Sequence, residues 1–71
     1  MRELRFHRDL YRGECVDEAI KVYGPYAAIT PLEDDGYWVV QIESSSVARE
    51  RKIADELANY ALGLTIRTRG A

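Results

Sequence analysis

The chain has 71 residues, a formal net charge of −2, and a single cysteine, histidine and tryptophan. That length allows one domain, residues 1–71, and a domain so small buries only about 60% of the surface its unfolded chain exposes. Hydrophobic content of 46% with charges of mixed sign argues against disorder, the acidic balance against a binder held by phosphate contacts, and the short apolar runs against a membrane span.

The first segment, Arg2 to His7, alternates polar and apolar, with Leu4 and Phe6 on one face and Arg5 and His7 on the other. This predicts a half-buried strand. Residues 8–13 break the alternation and read as a connection. From Glu14 to Tyr23 the spacing becomes helical: Val16, Ala19, Ile20 and Tyr23 make one apolar stripe. Gly24-Pro25 predicts the stop, with glycine as a left-handed cap and a proline that cannot continue the helix.

Tyr26 to Leu32 reads as a second strand, at a sheet edge or bulged at Pro31, because that residue lacks an N–H. Asp34-Asp35-Gly36 then reverses the chain between two runs rich in apolar and β-branched residues, the strongest short-range hairpin signal available. Tyr37 to Glu43 is the third strand. Trp38, Val40 and Ile42 should face the core, and Tyr37, Val39, Gln41 and Glu43 should face away.

Ser46 is the expected N-cap of a second helix running from Val47 to about Leu62, with Ile53, Leu57, Tyr60 and Ala61 as its stripe and Gly63 as its C-cap. The end, Leu64 to Arg69, alternates and reads as a short fourth strand or as a frayed tail, with the strand favoured because Leu64 and Ile66 need burial and threonine suits strands. The fold class is therefore α+β: a two-layer β-α-β-β-α order with both helices on one face of a small antiparallel sheet. With the fourth strand it would be ferredoxin-like.

Little in this chain carries chemistry. His7 has only Asp9 near it in sequence and reads as an exposed strand histidine rather than a general base. Cys15 lies beside the helix stripe amid acidic neighbours, which fits a small core residue better than a reactive thiol. Glu33, Asp34, Asp35 and Glu43 lack the spacing of a calcium loop and suit turn chemistry. No phosphate loop, dinucleotide fingerprint or metal-ligand spacing occurs. The expectation is a non-enzymatic protein without cofactor or metal, cytoplasmic, with a reduced thiol. Arg2, Arg5, Arg8 and Arg12 at the start and Arg67 and Arg69 at the end would form a basic edge opposite the acidic turn if the termini met. A solvated surface of mixed charge is the plainer expectation.

With both helices on one side, the other sheet face should show Arg5, His7, Tyr37, Val39 and Gln41. Tyrosine, valine and arginine together suit an interface. A small fold without disulfide or metal also gains from self-association or docking on a larger partner. The expected partner is thus a protein or a second copy. The competing class is a single-stranded RNA or DNA module. The run Gly36 to Ile42 loosely resembles the glycine-and-aromatic strand of an RNA-recognition motif, with Tyr37 as the stacking ring and the terminal arginines in support.

One wider resemblance spans most of the chain. Phe6-His7-Arg8-Asp9-Leu10-Tyr11, then Glu18-Ala19-Ile20-Lys21 with Tyr23, then the hairpin, then Glu56-Leu57-Ala58-Asn59-Tyr60 resemble the small D-component family of the His-Xaa-Ser peptide-modification system. The resemblance implies an accessory protein that accompanies a radical-based modifying enzyme. It assigns no catalytic positions.

Overall fold

The computed structural model describes residues 1–70, with side chains described to Thr68. Its elements are β1 (Arg2–His7), α1 (Gly13–Tyr23), β2 (Ala28–Asp34), β3 (Tyr37–Glu43) and α2 (Val47–Gly70). The order is the expected β-α-β-β-α, an α+β fold. The three strands form one antiparallel sheet in the order β1-β3-β2. Because β1 and β2 both run antiparallel to β3, they are parallel to each other, and β3 is inserted between them.

The turn sets this register. Gly36 has φ +80°, the only positive φ among the described residues, while Asp35 stays negative. That combination is the type II pattern, which needs glycine at its third position. Asp34 then pairs with Tyr37, Leu32 with Val39, Thr30 with Gln41 and Ala28 with Glu43. The Arg8 N–H donates to the Gly36 carbonyl at 3.0 Å. Antiparallel pairs alternate in hydrogen bonding, so the main-chain groups of Arg2, Leu4 and Phe6 point at β3. Those of Glu3, Arg5 and His7 point away from it. The same alternation directs the main chain of Ile29, Pro31 and Glu33 outward from β2. Pro31 thus lies on an edge strand, as expected, at a position where its missing N–H costs no ladder bond.

The sheet face under the helices carries Phe6, Val40 and Ile42. They pack with Val16 and Ala19 of α1 and with Ile53, Ala54, Leu57 and Ala61 of α2. Trp38 shares that face but lies at its margin, half-buried. Its Nε1–H donates to the Tyr11 carbonyl at 3.1 Å, and the Arg8 guanidinium lies 4.3 Å from its ring centroid. A Cβ at Gly13 would come within 3.1 Å of the Trp38 ring, so the start of α1 lies against the indole.

Two expectations at helix ends are corrected. Gly24 is right-handed, with φ −53°, and its N–H donates to the Ile20 carbonyl. The stop comes instead from a 3₁₀ turn, Gly24–Tyr26, whose geometry suits the fixed φ of Pro25. The second strand consequently starts at Ala28 rather than Tyr26. At the other end, neither the Gly63 C-cap nor the fourth strand forms, so the ferredoxin-like arrangement is not completed. α2 continues as helix through Gly63 to Gly70. Its buried stripe keeps helical spacing past the glycine: Leu57 and Ala61 are buried, and so is Thr65, while Ile66 is 61% exposed. The Thr65 hydroxyl donates to the Ala61 carbonyl at 2.8 Å, and the Thr68 hydroxyl to the Thr65 carbonyl at 3.0 Å. Two strand-forming threonines are thereby satisfied inside a helix, and tertiary burial overrides their preference.

A glycine in a helix interior should be improvable. A Cβ at Gly63 would meet nothing within 4 Å. Gly63→Ala should therefore stabilise the protein by about 1 kcal/mol, raising Tm by roughly 4–8 °C. A thermal melt that shifts downward instead would show Gly63 in the left-handed cap conformation.

The start of α2 is held from both sides. Ser46 is the N-cap as expected, its Oγ accepting the Arg49 N–H at 3.3 Å. Glu50 is buried, accepts the Ser44 N–H at 3.1 Å, and lies 3.4 Å from the N-terminal amine. This carboxylate joins the beginning of β1 to the beginning of α2.

Candidate functional site, the open sheet face

The face away from the helices is a three-by-three grid of cross-strand neighbours. Glu3, Gln41 and Thr30 make one row, Arg5, Val39 and Leu32 the next, and His7, Tyr37 and Asp34 the last. All five residues expected on this face are there: Arg5, His7, Tyr37, Val39 and Gln41.

Arg5 organises it. Its guanidinium crosses β3 to reach Asp34 on β2, with Nη2 donating to Oδ2 at 2.8 Å. On the way it lies 4.7 Å from the Tyr37 ring centroid. Its Nη1 is 3.5 Å from Glu3 Oε2 on its own strand. His7 meets Tyr37 edge to face at 5.2 Å, and its Nδ1 accepts the Asp9 N–H at 3.2 Å. Gln41 Nε2 donates to Glu3 Oε1 at 3.5 Å. The result is a polar lattice over a small apolar floor.

That floor includes Val39, which requires a correction. It points away from the helices as expected but is only 4% exposed. It sits in the central strand, between Leu32 and an arginine that folds across β3. Val39 therefore supports the face rather than being displayed on it. The displayed apolar residue is Leu32, 45% exposed. It was legible in principle, because counting back from the two-residue turn places Leu32 opposite Val39.

The remaining candidates fall into structural roles. Cys15 is buried, with its Sγ 3.9 Å from Thr68 Oγ1, between the start of α1 and the end of α2. The acidic turn is held by local bonds: the Asp35 N–H donates to Asp34 Oδ1 at 2.8 Å. Among the described residues, no three His, Cys, Asp or Glu side chains gather as a metal-binding set, and no helix is long and apolar enough to cross a membrane. The arginines near the start do not form a basic edge opposite the acidic turn. The Arg5 guanidinium pairs with Asp34 at that turn, while the Arg8 guanidinium lies over the Trp38 ring and only its main-chain N–H reaches the Gly36 carbonyl. The side chain of Arg69 lies outside the described residues. A separate groove of about 560 Å³ runs between α1 and β2, floored by Val16, Ile20, Pro31 and Trp38.

The lattice gives the fold an acid limit. The Arg5 hydrogen bond, then the Asp35 N–H, hold the Asp34 carboxyl below its ordinary value. The Ser44 N–H, with the N-terminal amine assisting against desolvation, does the same for Glu50. Folding thus favours the charged form of each. Their contribution is complete above the ordinary carboxylate range, about 4, and disappears as pH falls through their lower folded values. An Asp34→Asn, Glu50→Gln double variant should be less stable than the parent at neutral pH. The gap should close as acid is added in denaturant titrations.

No family model, curated protein or solved structure matches this chain.

Proposed function

We propose that this is a non-catalytic protein that works by binding another protein, or itself, through the open sheet face. The observation that carries the reading is a sheet covered on one side only. Its bare side presents Leu32, Tyr37, Arg5 and Gln41 in adjoining rows, and arginine, tyrosine and apolar side chains in one patch are the usual makings of a binding centre. The lattice is also pre-organised, since Arg5 is already held by Asp34 and Tyr37, so little side-chain freedom remains to be lost on docking. Resemblance to the D-component family makes a radical-based peptide-modifying enzyme the first partner to test. A cytoplasmic location accompanies this reading, supported by a lone cysteine that has no partner for a disulfide.

Leu32→Ser combined with Tyr37→Ser should keep the native circular dichroism spectrum and weaken partner capture at least tenfold. Unchanged capture by the folded double variant would remove the proposal. Single-stranded nucleic acid is the alternative ligand. Against it, the Tyr37 ring already carries Arg5 on its face and His7 at its edge, so a base would have to displace the guanidinium to stack. Tight binding of labelled RNA that weakens steeply with salt would favour that alternative.

A further inference from the structure

We propose that the free edge of β1 pairs antiparallel with β1 of a second copy about a two-fold axis at Leu4, giving a continuous six-stranded sheet. This surface is distinct from the open face.

The N–H and C=O groups of Glu3, Arg5 and His7 point away from β3, by the alternation that the Arg8–Gly36 bond fixes. The His7 carbonyl is already used, accepting the N–H groups of Leu10 and Tyr11, both at 3.0 Å. The N-terminal amine is likewise engaged by Glu50. What remains on this edge is the N–H of residues 3, 5 and 7 and the C=O of residues 1, 3 and 5.

Of the two-fold registers that keep outward groups opposite outward groups, three overlap over five residues or more. Centring on Glu3 sets Glu3 against itself and leaves the His7 N–H without a partner. Centring on Arg5 sets Arg5 against itself and demands the His7 carbonyl, which is taken. Centring on Leu4 sets Glu3 against Arg5 of the second copy, twice, each pair exchanging two main-chain hydrogen bonds. The His7 N–H then meets the Met1 carbonyl of the second copy. This register uses every free group and needs neither of the engaged ones. It also places opposite charges across the junction, where like charges would destabilise the pairing. A two-fold contact of this kind is self-complementary, the commonest geometry of soluble oligomers.

The two edges of the sheet are treated differently by the sequence. At the β2 edge the outward position 31 is a proline, which cannot donate to an added strand. β1 carries no such block. On the helix side, an open groove of about 770 Å³ lined by Arg2, Val47, Arg51 and Asp55 flanks α2. The second copy's helix therefore has room, and Val47, 77% exposed, gains cover.

Sedimentation equilibrium tests the pairing. The parent chain should sediment at twice its mass. Glu3→Arg and Arg5→Glu should each dissociate at least tenfold more readily, because each sets like charges across the two-fold. An equimolar mixture of the two should recover a heterodimer, since the arginine introduced at position 3 of one chain then faces the glutamate introduced at position 5 of the other. Arg5→Glu also loses the bridge to Asp34, so a Leu4→Cys chain, with both charges intact, gives a second measurement. Mild oxidation should link it across the axis into a reducible dimer, where the parent chain, with only buried Cys15, stays unlinked. A parent chain that is monomeric at every concentration, a dimer indifferent to Glu3→Arg, or a Leu4→Cys chain that does not cross-link would overturn the pairing. The Leu32→Ser, Tyr37→Ser variant should remain dimeric, so loss of the edge contact and loss of face binding are read separately.

Discussion

Leu57→Ala should destabilise the fold by about 3 kcal/mol, lowering Tm by on the order of 10–20 °C. Leu57 is fully buried, as are Val40 and Ile42 beneath it on the sheet. It sits on the buried stripe of α2, between Ala54 and Ala61, facing α1 and the sheet in the core. Two alanines beside it bring the helix backbone close to the sheet, so the neighbours have few long side chains with which to refill the space. The cost should therefore be that of a cavity rather than of lost area alone. Net stability of a domain this size is about 5 kcal/mol, so the variant should be partly unfolded near physiological temperature. Leu62→Ala is the control on the same helix. Leu62 is 43% exposed, and its loss should cost no more than about 0.5 kcal/mol. Equal effects of the two substitutions in urea titrations would mean that α2 does not pack by the stripe described.

Trp38→Ala should cost about as much, roughly 3 kcal/mol, for a different reason. The ring is only half-buried, but three parts of the chain converge on it. The Tyr11 carbonyl accepts its N–H, the Arg8 guanidinium lies over its face, and Gly13 abuts its edge. Losing the indole releases the whole connection from β1 to α1 as well as its own apolar area. Trp38→Phe separates these contributions. It keeps most of the ring and the cation contact and removes the hydrogen bond, so about 1 kcal/mol should be lost. Denaturant melts followed by circular dichroism give both values. A Trp38→Phe chain as unstable as Trp38→Ala would assign the effect to the hydrogen bond alone.

The parts of this fold that were legible in the sequence are those where one residue type settles the geometry. Gly36 must adopt a positive φ, and with the two-residue turn it fixes the pairing of β2 with β3. Period-two alternation from Tyr37 to Glu43 then decides which side chains meet the helices. Pro31 excludes its strand from the centre of the sheet. The ends of the helices were less legible because several signals compete there. Gly63 has the composition of a cap, yet the stripe of Leu57, Ala61 and Thr65 gains more from continuing as helix. Leu64 to Arg69 alternates and is also compatible with helical spacing, and burial of Thr65 decides between the two. On the open face the residue set was legible but the burial of Val39 was not. It depends on Arg5 reaching two strands away to Asp34, a tertiary contact that no local pattern encodes.

A chain with a bare sheet face and an unblocked strand edge has two surfaces at which a second protein can extend its architecture. If both are used, dimerisation at β1 would join the two open faces into one, presenting Leu32, Tyr37 and Arg5 twice about the axis. A partner that recognises the face would then be bound bivalently, and its apparent affinity would fall when the edge is disrupted even though the face is intact.

Site-specific photo-cross-linking in native extract tests the binding face most directly. A photoreactive residue at position 32 should yield one dominant protein adduct, and the same probe at Lys21, exposed on the helix layer away from the β1 edge, should not. A position 21 adduct equal to that at position 32, or no discrete adduct at position 32, would contradict binding through the open face.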